Sequence, residues 1–98
     1  MIISVSKPSF KKDFLDNLNI AVNKGVTVEI NQDSETKRDK AIARANGRVV
    51  GKMVLERKKG EAIAKQSIII ERDFYPYEVI LFELVKYYKR RRIKQIVA

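Results

Sequence analysis

The dipeptide Asn46-Gly47 constrains this chain more than any other local feature. A two-residue type I′ hairpin turn needs positive φ at both central positions, and Asn-Gly is the pair that meets this at least cost. Around it lie Ala41–Ala45 and Arg48–Arg57, read as two antiparallel strands. A helix over 48–57 is the competing reading, because Val49, Val50, Met53 and Val54 also fit a helical stripe. Gly47 and Gly51 weigh against it, since glycine disfavours a helix interior.

The rest of the chain supports a mixed architecture. Ile2–Ser6 is short and β-prone. Phe10, Phe14, Leu15, Leu18, Ala21 and Val22 share one helical arc, Ser6 or Ser9 can cap its start, and Gly25 can supply a left-handed stop. Val26, Val28 and Ile30 alternate with polar residues as in a half-buried strand. Gln32–Lys40 is wholly polar and reads as a solvated loop. Lys65–Arg72 contains Ile68, Ile69 and Ile70 in succession, as expected of a central strand covered on both faces. Pro76 opens a last helix in which Tyr77, Ile80, Leu81, Leu84, Val85, Tyr87 and Tyr88 occupy a broad arc.

The expected fold is therefore α+β and two-layered. A mainly antiparallel sheet carries an N-terminal helix over about 9–24 and a C-terminal helix over about 76–90. At 98 residues the whole of 1–98 fits one small domain. Continuing the last helix would bring Arg91 and Arg92 to the buried arc, where unpaired charge is costly. Either the helix ends near residue 90 or 91–98 leaves the body as a basic arm. Val79 and Phe82 fall on the polar side of that helix and suggest a homodimer seam.

Charge supplies the functional expectation. The chain carries a formal net charge of +9. Its first 35 residues hold four Lys and five acids, while residues 36–98 hold 17 basic and seven acidic residues. Segregated positive charge points to an anionic partner. The densest stretch is 86–94, where six of nine residues are basic and none is acidic: Lys86, Lys89, Arg90, Arg91, Arg92 and Lys94. A helix C-terminus favours two or three cations, and six exceed that need. Arg44, Arg48 and Lys52 near the Asn46-Gly47 tip, with Arg57, Lys58 and Lys59 at the other end of the hairpin, could extend a binding face along a groove.

These features give the expectation of a non-catalytic DNA- or RNA-binding protein, contacting phosphates through those twelve residues. A protein-interaction module docking on an acidic or apolar surface is the alternative, and a small ribonuclease a second. With neither Cys nor His, thiolate chemistry, disulfides and the commonest general base are excluded, and no cofactor or metal is expected. No secretory signal or apolar run of spanning length occurs, so a soluble, cytoplasmic protein without membrane contact is expected. Lys7-Pro8, Gly25-Val26 and Gly47–Val54 together are similar to segments of the Alba chromatin proteins, a resemblance that implies a helix over 48–59. The 22 residues from Gly25 to Gly47 exceed that family's spacing, and the chain is not assigned to it.

Overall fold

A computed structural model describes all 98 residues. The elements in chain order are β1 (Ile2–Ser4), α1 (Lys12–Asn23), β2 (Thr27–Asp33), β3 (Arg38–Ala45), β4 (Arg48–Lys58), β5 (Glu61–Ile69), α2 (Pro76–Lys89) and β6 (Gln95–Val97). They build a six-stranded sheet in the order β1-β6-β5-β4-β3-β2, antiparallel except where β6 pairs β5. The α+β class and both helices match the sequence reading.

Turn chemistry accounts for the central meander. Asn46 and Gly47 adopt φ of 53° and 78°, so Ala45 pairs with Arg48 across a two-residue turn, and 48–58 is strand. Lys59 and Gly60 repeat the device with φ of 44° and 82°, pairing Lys58 with Glu61. The stretch read as a solvated loop is shorter than expected. Strands β2 and β3 run through it to the pair Asp33–Arg38, and Asp39 is fully buried. The Asp33 carboxylate closes the remaining turn by accepting from the Thr36 and Glu35 amides, and Thr36 above all holds its pKa below the usual carboxylate value.

Both helices lie on one face of the sheet. Strand residues Ala41, Ala43, Met53, Leu55 and Ala62 are buried under them, whereas Lys40, Ile42, Lys52 and Val54 belong to the opposite, open face. Helix α1 ends as Gly25 predicts: the Gly25 amide donates to Val22 O and the Val26 amide to Ala21 O, the paired bonds of a Schellman motif. Its start differs from expectation. Lys11 is the cap and no side chain caps the helix, so neither Ser6 nor Ser9 serves. Gly51 lies under the start of α2, where an added Cβ would stand 2.5 Å from Pro76 Cβ. Glycine is required there by close approach of helix to sheet.

Three further expectations are corrected. Val79 is 3% exposed and Phe82 is half-buried, its ring 6.5 Å from that of Phe10, so the segment leading into α1, with α1 packed on α2, already covers the side assigned to a homodimer seam. The isoleucine run is not covered on both faces: Ile68, Ile69 and Ile70 are 40%, 45% and 58% exposed. Only Glu61–Ile63 of β5 pairs with β6, which leaves the rest of β5 as an edge on that side. Finally, 91–98 is not an arm. The helix stops at Lys89, Arg92 turns the chain at φ 60°, and Gln95–Val97 enters the sheet between β1 and β5. No helix is long and apolar enough to cross a membrane.

Candidate anion-binding pole

Strand β4 separates the twelve predicted cations. Arg48 and Arg57 stand nine residues apart on an extended strand, roughly 30 Å at about 3.3 Å per residue. They cannot form one continuous contact with the C-terminal cluster. Most of the hairpin cations are also neutralised from within. Arg44 Nη2 lies 3.7 Å from Glu29 and Lys58 Nζ 3.4 Å from Glu56. Arg48 holds Glu71 through two hydrogen bonds, which raise the arginine's pKa and lower that of the carboxyl. Arg57 Nε lies 3.3 Å from the buried Asp39. Lys86 pairs with Glu83 at 2.9 Å.

Asp39 is a residue that sequence reasoning missed. Its Oδ2 accepts a 2.6 Å hydrogen bond from the Tyr88 hydroxyl, and Arg57 flanks the same oxygen. Tyr88 is fully buried, and burial, reinforced by the hydrogen bond to Asp39, pushes its pKa well above the ordinary phenol value. The group is a structural lock between α2 and the β3–β4 pair. The signal in the sequence was a carboxylate at an alternating position just before Ala41 and Ala43, hidden by the polar residues around it.

The remaining cations converge. A 2.7 Å bond from the Lys94 amide to Gly60 O brings the β4–β5 turn, with Lys59, beside the α2–β6 turn, with Lys89, Arg90, Arg92 and Lys94. All five are exposed and none forms a salt bridge. Arg91 differs: its guanidinium stacks 3.6 Å from the Tyr87 ring centroid and donates to Tyr87 O. A hollow of about 540 Å³ opens on the uncovered sheet face, and Lys52 lines it with Arg38 and Lys40.

Two further hollows lie at opposite ends of α2. The larger, about 690 Å³, is lined by Ser4, Val5, Ser6, Lys89, Arg92, Ile93, Lys94 and Gln95. The other, about 400 Å³, is lined by more apolar side chains, with Ile2, Ile3, Phe10 and Phe14 beside Asn17, Tyr77 and Glu78. Asn17 donates a 2.9 Å bond to Glu78 there. Burial and then the Glu78 charge raise the Tyr77 pKa, so its hydroxyl remains a proton-bearing donor.

No protein-family model matches the sequence, and no curated protein matches it. The fold is nonetheless shared with solved structures. It is similar to L-PGS from Bacillus licheniformis, with a TM-score of 0.72 and 11% identity over 97% of this chain. It is equally similar to the C-terminal domain (DUF2156) of a putative lysylphosphatidylglycerol synthetase from Agrobacterium fabrum, with a TM-score of 0.73, 9% identity and the same coverage. The chain spans 44% of the length of each. These likenesses correct the expectation of a non-catalytic nucleic-acid-binding protein. The same architecture occurs in L-PGS and in a domain of a putative lysylphosphatidylglycerol synthetase, and five of the twelve predicted cations are paired within the chain.

Proposed function

We propose that this chain is a domain of a lipid-modifying enzyme acting on the headgroup of an anionic phospholipid. The observation that carries this reading is the superposition of nearly the whole chain, sheet and both helices together, on L-PGS and on the C-terminal domain of a putative lysylphosphatidylglycerol synthetase. Fold alone does not specify chemistry. The unpaired cations around the α2–β6 turn add an independent argument, since a lipid such as phosphatidylglycerol presents a phosphodiester to its enzyme.

The test is direct. Purified protein is incubated with phosphatidylglycerol vesicles and an activated lysyl ester, and the extracted lipid is weighed by mass spectrometry. The expected product is phosphatidylglycerol heavier by one lysyl group. Unmodified lipid over the range of common aminoacyl esters, with the protein folded throughout, overturns the reading.

A further inference from the structure

We infer that the hollow between the end of β1 and the α2–β6 turn is a phosphate pocket, and that it takes the phosphodiester of a phospholipid headgroup. The identification of a lipid rests on the proposed function; the pocket's preference for phosphate does not.

The lining makes the case. Lys89, Arg92 and Lys94 contribute three cations and Ser4 and Ser6 two hydroxyls, with no carboxylate among the lining residues, while the Gln95 amide nitrogen already donates to Glu61 Oε1 at 2.9 Å. None of the three cations has an internal ion-pair partner, although most cations of the hairpin have found one. Three like charges around one concavity repel each other until an anion enters, and Arg adds a planar two-donor fork suited to phosphate oxygens. The backbone is fixed in place before any ligand arrives. The Val5 amide donates to Lys94 O at 2.9 Å, and the Lys94 amide to Gly60 O at 2.7 Å. Arg92 occupies the left-handed region at φ 60°, a conformation that disfavours any residue with a Cβ. That turn carries Lys89, Arg92 and Lys94 to one rim. Ser4 Oγ and Ser6 Oγ hydrogen-bond each other at 3.5 Å and the Lys7 amide donates to Ser4 Oγ at 3.4 Å, so the two hydroxyls sit as one pair at the hollow.

The experiment has two arms on the intact chain. In the first, inorganic phosphate is titrated while amide resonances are followed by NMR. Saturable shifts are expected at Ser4, Ser6 and Lys94. In the second, flotation compares vesicles of phosphatidylglycerol in phosphatidylcholine with vesicles of phosphatidylcholine alone. Near an anionic surface each lost cation weakens binding by about fivefold. The triple variant K89Q/R92Q/K94Q should therefore lose on the order of a hundredfold in vesicle binding and all phosphate shifts. The variant K11Q/K12Q/K40Q removes the same charge from exposed sites elsewhere and should retain the phosphate shifts with a much smaller loss of flotation. S4A/S6A leaves the charge untouched and should weaken phosphate severalfold.

The pocket is overturned if phosphate shifts nothing at these amides, or if the two triple variants lose binding equally, which would reveal a diffuse field. Phosphate binding without preference for the anionic vesicles overturns the lipid assignment, as does saturation of the pocket by duplex DNA or RNA in place of vesicles. A pocket that binds headgroups in a protein that modifies no lipid leaves this inference standing and removes the proposed function alone.

Discussion

Arg57 and Arg92 stand for two populations of cation in the same small protein. Arg57 lies at the sheet, its side chain 22% exposed, held against the buried Asp39 beneath Tyr88. Arg92 stands exposed on a left-handed turn, with two lysines and two serines around an open hollow and no acid. Sequence charge counts treat them alike. The difference teaches that a positive residue speaks for a partner only after its own protein's carboxylates have been accounted for.

Removing the acid that satisfies the first population should have the largest effect. Asp39→Ala strands Arg57 and the buried Tyr88 hydroxyl, and breaking a buried pair of this kind costs about 3–5 kcal/mol. Urea denaturation should show a loss at the lower end of that range, because Arg57 reaches water; a loss under about 1 kcal/mol would place both cations in one class. Gly51→Ala tests the helix seat that positions Tyr88. A methyl group 2.5 Å from Pro76 Cβ forces α2 outward, and overpacking of this kind costs about 1–3 kcal/mol.

Tyr88→Phe has a pH signature. The folded-state pKa of Tyr88 is raised, so its contribution is fully present below the unfolded phenol value of about 10 and is lost as pH rises beyond it. Wild-type stability should fall above pH 10 more steeply than that of the Phe variant. Equal slopes would mean that the Tyr88–Asp39 contact does not govern the alkaline limb.

At the other population the sign reverses. K89Q/R92Q/K94Q removes mutual repulsion, so the variant should be slightly more stable than wild type in low salt, by less than about 1 kcal/mol, with the gain vanishing at high ionic strength. A destabilised variant would mean that these cations hold the fold. The smallest effect belongs to the surface pair. The Glu71 carboxyl is held below its ordinary pKa by Arg48, so the pair's contribution is present above about pH 4.3 and fades as pH falls. Any melting difference between wild type and Arg48→Gln should close below pH 4.

Much of this architecture is local and was legible. Asn46-Gly47 dictates its hairpin, Gly25 its helix stop and Pro76 its helix start, each through a backbone preference that needs no distant partner. The 86–94 cluster was legible as well, because composition alone reveals it. The candidate pocket was not. Its serines come from the β1 end and its cations from a turn some 85 residues later, joined only when β6 slides between β1 and β5. Nor could Val79 and Phe82 be placed, since their covering depends on where α1 docks.

The sequence by itself determined the class of fold, the hairpin and both helices, and the chemical character of the chain as a carrier of excess positive charge. Only the tertiary structure decided which of those charges are free. Ion pairing is set by side chains meeting across distant segments, as Arg57 meets Asp39 and Arg48 meets Glu71, and no local pattern encodes that meeting.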